Sequence, residues 1–193
     1  MLRIISGSVG GRLIESPPGQ DLRPMMDKVR AALFDMLWHF DALQGRMLDL
    51  YAGSGAVGIE ALSRGADFAD FVEVNPVSVR TIQRNLESLD LDDQGRVHRR
   101  RAEEVIAKPS LLGYPGPYNL ISVTPPYVEV NYDQLSRQIA ESTLVGRGTV
   151  IVFEYPSEDE MPETIGPLVQ LRDRRYGRTK LAIYEYPYDE DET

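Results

Sequence analysis

Two periods of apolar spacing alternate along this chain, one of two residues and one near 3.6, and together they mark out its elements. Residues 2–15, "LRIISGSVGGRLIE", hold two short β-prone runs joined by a glycine-rich link, which predicts a hairpin. The loop "SPPGQDLRP" follows, ending at Pro24. From Met25 to Phe40 the apolar residues Met25, Val29, Ala32, Leu33, Leu37 and Phe40 fall at helical spacing, and Met36, Leu37 and Trp38 read as part of the same buried face.

Strand and helix then alternate. "RMLDLYA" (46–52) predicts a strand, "AVGIEALSRG" a helix closed by Gly65, "DFADFVEV" (67–74) a strand, and "PVSVRTIQRNLESLDL" a helix opened by Pro76. "GRVHRRR" reads as a strand, "AEEVIAKPS" as a short helix, and "YNLISVT" (118–124) as a strand. "DQLSRQIAESTLV" is a helix and "GTVIVFEYP" (148–156) a strand; a short segment and a final hairpin complete the chain. Repeated β-α units with apolar strands imply an α/β fold: a mostly parallel sheet, helices on both faces, right-handed crossovers.

Composition narrows the chemistry. At 193 residues the chain suits one main domain. No apolar run approaches the roughly 18 residues that span a bilayer, and no basic segment leads an apolar core, so we expect a cytoplasmic protein without a membrane partner. Cysteine is absent, which removes disulfides and thiolate chemistry, and only His39 and His98 remain as imidazoles, so both read as structural and no metal is expected. The net charge of −9 argues against a polyanionic partner. Its distribution does not. The excess acid lies partly in the tail Asp189-Glu190-Asp191-Glu192, whereas basic residues gather in Arg3, Arg12, Arg23, Lys28 and Arg30, in Arg99-Arg100-Arg101, and in Arg172, Arg174, Arg175, Arg178 and Lys180. A local cationic face is compatible with that pattern.

In such sheets ligands bind beyond the carboxyl ends of the strands. After the first parallel strand comes "DLYAGSGAVG", where Gly53, Gly55 and Gly58 satisfy G-x-G-x-x-G between a strand and a helix, so backbone can approach a ligand near a helix N-terminus. The bland alternative is a tight turn. The next strand ends in Glu73, whose carboxylate could accept from both hydroxyls of a ribose, as an acid does at this place in nucleotide-binding sheets; otherwise it is an exposed strand-end charge. A dinucleotide would set its pyrophosphate against Asp49, four residues before Gly53, and be repelled. S-adenosyl-L-methionine brings an ammonium there instead, which favours a methyl donor over NAD.

The segment "NLISVTPPYV" ends a β-branched run in two prolines, which terminate a strand. At the mouth of the same cleft the turn can do more. An exocyclic amine is a poor nucleophile because its lone pair is delocalised, and acceptors on its hydrogens favour the attacking form. Pro125 C=O can accept one hydrogen and the Thr124 hydroxyl the other, Pro126 stiffens the turn, and Tyr127 offers a stacking face.

These residues resemble the RsmD family, bacterial enzymes that methylate N2 of a guanine in small-subunit, 16S-type ribosomal RNA. "RIISGSVGGRLI", "LRPMMDKVRAALFDML", "LDLYAGSGAVGIEALSRGA", "FVEVN" and "TPPY" carry the resemblance over nearly the whole chain. It implies a class I, Rossmann-like fold dependent on S-adenosyl-L-methionine, with a seven-stranded sheet and a small N-terminal hairpin that helps hold RNA. It divides the chain into a hairpin and loop (1–24), a methyltransferase domain (25–188) and an acidic tail (189–193). It also implies cofactor contacts at Asp49, Gly53, Gly55 and Glu73 and target-amine contacts at Thr124 to Tyr127; Tyr51, Ala52, Val74 and Ala102 are further cofactor candidates, and Arg3, Arg12, Arg23 and Arg178 are candidates for RNA phosphate contacts. The partner would be small-subunit ribosomal RNA, bare or assembled, and the protein a monomer in a bacterial cytoplasm or an organelle of bacterial ancestry. Two positions depart from the family pattern: Thr124 stands where Asp or Asn is usual, and Arg101 where a short polar residue is common. Two rival readings follow from the same residues, an NAD-binding oxidoreductase on the same glycine turn and an RNA-binding assembly factor with weak or lost methyl transfer.

Overall fold

A computed structural model describes residues 1–18, 25–126 and 130–189. The chain opens with strands β1 (Leu2–Arg3) and β2 (Leu13–Ile14), which pair antiparallel with Leu2 opposite Ile14. Helix α1 (Asp27–Trp38) follows, and then β3 (Arg46–Leu50), α2 (Ala56–Ser63), β4 (Phe68–Glu73), α3 (Pro76–Ser88), β5 (Gly95–Arg99) and α4 (Ala102–Ala107). The second half holds β6 (Leu120–Val123), α5 (Tyr132–Ala140), β7 (Val150–Pro156), β8 (Thr164–Ile165), β9 (Leu168–Tyr176) and β10 (Thr179–Glu185).

The central sheet runs β5-β4-β3-β6-β7-β10-β9-β8, with β3 to β7 mutually parallel and the last three strands antiparallel. Among the described residues this makes eight strands rather than the expected seven. The addition is β8, whose two residues fold back on β9 through Gly166 at φ 56° and are too few to announce a strand. Strand order reverses between β3 and β6, so the cleft that such sheets form at a switch point must open above those two strands. Apolar side chains cover both faces, one layer holding Phe34, Met47 and Val152, the other Leu50, Val123 and Phe153.

Local chemistry fixes the helices that flank the cleft. Asn75 caps α3, its Oδ1 accepting from Val77 N–H at 2.8 Å, and Pro76 opens the first turn. All of α2 is buried, and Gly58 lets it lie against β4, since a Cβ there would sit 2.2 Å from the Phe71 ring.

Two expectations about side chains are corrected. Leu37 is buried and Met36 half-buried against the core, but Trp38 is 70% exposed. Trp38 shares the helical row of Phe34, yet it is the last residue of α1, and spacing does not reveal where a helix outruns its neighbours. Arg30, grouped with the surface cations by sequence, is wholly buried with the equally buried Glu60. Glu60 also accepts from Ile5 N–H at 2.7 Å, Ser6 N–H at 3.0 Å and Arg64 Nε at 2.7 Å. Arg30 donates to the Arg3 carbonyl and to Asp27. This buried pair therefore clasps the N-terminal segment onto α1 and α2. Close approach at Gly7 completes the seat, because a Cβ there would lie 1.8 Å from the Ser63 carbonyl oxygen.

His98 is structural, as expected: its Nε2 lies 2.8 Å from Asp70, which also accepts from Arg46 and the Tyr118 hydroxyl. Burial raises the Asp70 pKa, but His98, Arg46 and Tyr118 together outweigh it and hold the group below its ordinary value. His39 stands exposed at the end of α1.

Candidate functional site

A cleft of about 830 Å³ opens above the carboxyl ends of the parallel strands. It brings together Tyr51, Ala52 and Gly53 after β3, Glu73 at the end of β4 with Val74 after it, Ala102 at the start of α4, and Thr124, Pro125 and Pro126 after β6. Segments far apart in sequence thus meet where the topology requires.

The donor half is built on backbone. Gly53 (φ 58°) and Gly55 (φ 77°) adopt the left-handed conformation, and so does Tyr51 at φ 61°, which is uncommon for a residue with a side chain. Tyr51 is held there by its hydroxyl, which donates to Glu103 at 2.8 Å; burial first, and then Glu103, push the phenol pKa up. Glu73 is oriented by two main-chain donors, Gly53 N–H to Oε2 at 2.9 Å and Asn75 N–H to Oε1 at 2.8 Å. Each carboxylate oxygen keeps a second lone pair for a ligand hydroxyl. Asn85 ties this loop to the N-terminal segment: its Nδ2 donates to the Ser54 and Glu15 carbonyls, and its Oδ1 accepts from Glu15 N–H at 2.8 Å.

Asp49 lies beneath the loop and is not on the cleft wall. Its Oδ2 accepts from Gly58 N–H at 3.0 Å, while Oδ1 is buried with no hydrogen-bond partner. Burial pushes its pKa up to about 7, with Gly58 N–H and Ser122 acting against the shift and Glu73 adding to it. The folded chain therefore holds a proton that the unfolded chain releases near pH 4, and stability must fall as pH rises through that window. With an ordinary value near 3.9 the full difference is about 4 kcal/mol. Asp49→Asn is expected to flatten the stability profile between pH 4 and about 7 and to make the chain more stable at pH 8. Urea titrations at each pH measure this; an unchanged slope would mean that another group carries the dependence.

The opposite half of the cleft carries a hydroxyl. Thr124 Oγ1 donates to the Tyr51 carbonyl at 3.5 Å, a long contact that still turns the lone pairs of Oγ1 away from Tyr51. Pro125 is buried and Pro126 exposed. Tyr127 and Arg23 lie outside the described residues.

Other predicted residues are placed elsewhere. Arg3 and Arg12 are exposed on the N-terminal segment but do not line the cleft. Arg12 donates to the Ser88 carbonyl at the far end of α3, roughly 18 Å of helix from the cleft. Arg178 is exposed in the β9–β10 turn, and Thr179 pairs with Pro156 at the carboxyl end of β7, so it stands at the same end of the sheet as the cleft. Arg101 is exposed at the cleft edge beside Arg100. Sequence reasoning missed Ser16, Pro17, Met25, Asn75, Arg100 and Glu154 as cleft residues. Asn75 was legible as a helix cap before Pro76; the others are set by tertiary placement. Among the described residues no cluster of acidic or imidazole side chains is gathered as for a metal, and no helix is long and apolar enough to cross a membrane.

A parallel sheet with a glycine loop after its first core strand, an acid ending the second and an antiparallel edge defines the class: this is the class I, S-adenosylmethionine-dependent methyltransferase fold. It is shared at TM-score 0.83 with the solved structure "Putative methyltransferase yhhF from Escherichia coli", 26% identical, with 96% of this chain and 98% of that one covered. More particularly, the chain belongs to the family described as "Conserved hypothetical protein 95", which matches residues 2–185 and is the RsmD family that the sequence resembles. "Putative rRNA methyltransferase YlbH" of Bacillus subtilis (strain 168) is 40% identical over 187 residues, covering 95% of this chain and 98% of that protein. "Ribosomal RNA small subunit methyltransferase D" of Escherichia coli (strain K12) is 28% identical over 184 residues, covering 95% and 89%.

Proposed function

We propose that this protein transfers a methyl group from S-adenosyl-L-methionine to the exocyclic N2 amine of a guanine in small-subunit ribosomal RNA, acting as a single chain in the cytoplasm. The observation that carries the reading is the meeting of two chemically distinct halves in one cleft, the glycine loop with Glu73 on one side and Thr124-Pro125-Pro126 on the other. The names of the relatives support ribosomal RNA as the substrate.

The residues present fit the cofactor. The Glu73 carboxylate suits a ribose diol, Tyr51, Ala52 and Gly53 form the wall with Gly55 just behind it in the loop, Val74 and Ala102 line the same cleft, and Asp49 Oδ1 is a buried acceptor beneath the loop. When bound, the cofactor supplies a methyl on a sulfonium, so that the amine nitrogen forms the new N–C bond as the C–S bond breaks and sulfur keeps the electron pair. The chain then orients the amine. Pro125 C=O and Thr124 Oγ1 each accept one amine hydrogen, which directs the nitrogen lone pair at the methyl group, and the surplus proton leaves to water after attack. The N-terminal segment and Arg178 hold RNA beside the cleft, with Tyr127 stacking on the base.

The Thr124 hydroxyl makes only a long contact to the Tyr51 carbonyl, so its oxygen is free to accept from the substrate. Thr124→Val removes that acceptor with little change in volume. It is expected to lower kcat about tenfold, the worth of one hydrogen bond, with affinity for S-adenosylhomocysteine unchanged. A loss of cofactor affinity would assign Thr124 to the donor half. The function itself is tested by incubating tritiated cofactor with small subunits from cells lacking the gene: label recovered as N2-methylguanosine supports the reading, and label in another nucleoside or none refutes it.

A further inference from the structure

Glu154 lies in β7 and lines the cleft, although it belongs to none of the motifs that single out the site in the sequence. Register sets its place. Strands β6 and β7 are parallel with Val123 beside Phe153, so Thr124, the residue just past the end of β6, follows next to Glu154 of β7. Matched positions on neighbouring strands project from the same face about 4.8 Å apart. Val123 and Phe153 are buried in the same apolar layer, while Thr124 and Glu154 both reach the cleft. A hydroxyl and a carboxylate thus stand side by side at the point assigned to the substrate amine.

Guanine carries two parallel donors on its Watson–Crick edge, N1–H and N2–H, and enzymes that act on a base read that edge in the pocket. A carboxylate, with two acceptor oxygens and no donor, matches both at once. Adenine and cytosine instead present a ring-nitrogen lone pair beside their amine, which a carboxylate opposes. We propose that Glu154 selects guanine, one oxygen accepting from N1–H and the other sharing with Thr124 Oγ1 the N2 hydrogen on the same side, while the second N2 hydrogen is left to Pro125 C=O. The assignment rests on the guanine-N2 reading above and adds to it the group that identifies the base. It also accounts for the tolerance of threonine at position 124, since a charged acceptor stands on the adjacent strand.

The test uses small subunits reconstituted from RNA with either guanine or 2-aminopurine at the position the wild-type protein methylates. 2-Aminopurine keeps the N2 amine but has a bare acceptor at N1. The wild-type protein is expected to favour guanine in kcat/KM by roughly ten- to a hundredfold, the discrimination of a bidentate base contact. Glu154→Gln is expected to erase or reverse that preference, because a carboxamide can donate to N1 and still accept from N2–H. A variant that binds S-adenosylhomocysteine normally but slows both bases alike, with the ratio intact, would overturn the proposal. So would a wild-type protein that does not distinguish the two bases, a result that needs no variant. Methylation of adenine or cytosine, or of no RNA, by the wild-type protein would instead reveal failure of the functional reading itself.

Discussion

Glu60→Ala is expected to destabilise the protein by about 3–5 kcal/mol, the range found when one partner of a buried ion pair is removed. The substitution removes the buried counter-ion of Arg30, leaving it only the partly exposed Asp27, and it also deprives Ile5 N–H, Ser6 N–H and Arg64 of their acceptor. At roughly 2–4 °C per kcal/mol for a chain of this size, the melting temperature should fall by about 6–20 °C. Amide exchange should rise first at Ile5 and Ser6, because the clasp holding them is gone while the central sheet keeps its own ladder. Arg30→Met should be milder, since the buried Glu60 carboxylate keeps Arg64 and both backbone donors as partners. Equal, small effects from both substitutions would mean that the pair contributes little and that packing of Ile4 and Ile14 alone seats the segment.

The second large effect is on the cofactor. Glu73→Ala is expected to weaken S-adenosylhomocysteine binding by roughly 10²–10⁴-fold, since two hydrogen bonds to a charged acceptor contribute about 1.5–3 kcal/mol each. It also frees Gly53 N–H and Asn75 N–H, so the glycine loop loses its brace. Glu73→Gln retains acceptor oxygen but adds donors, and should fall between wild type and alanine. Titration calorimetry measures all three proteins. If Glu73→Ala bound the cofactor as wild type does, the carboxylate would be a loop brace only, and the ribose would have to be read elsewhere.

The parts of the site legible in the sequence are those that short chain segments encode. Gly53, Gly55 and Gly58 announce a turn between strand and helix because only glycine suits those backbone angles and that approach to Phe71. Pro125 and Pro126 announce a strand end because they cannot donate to a ladder. Topology then placed both at one end of the sheet, since parallel order and right-handed crossovers leave little choice. What stayed hidden depends on register or on pairing at a distance. Glu154 sits in an apolar run whose neighbour, Thr124, is a matter of how β6 meets β7. Arg30 and Glu60 look like ordinary polar positions on two helices, and only their meeting shows them to be the anchor of the N-terminal segment. The same limit applies to Trp38, where the periodicity marks a row but the end of α1 decides exposure.

Thr124 is one of the two positions at which the sequence departs from the family pattern, and its surroundings suggest how the departure is accommodated. The hydroxyl makes only a long contact, 3.5 Å, to the Tyr51 carbonyl. Under the proposed guanine contact, Glu154 on the neighbouring strand supplies the charge that threonine lacks.

The most direct test of the central claim is nucleoside mass spectrometry of small-subunit ribosomal RNA from cells with and without this protein. The account predicts one N2-methylguanosine that disappears when the gene is deleted and returns with the wild-type chain. It predicts no return with Glu73→Ala. Identical guanine methylation in both strains, with the loss of a different modified base or of none, would contradict it.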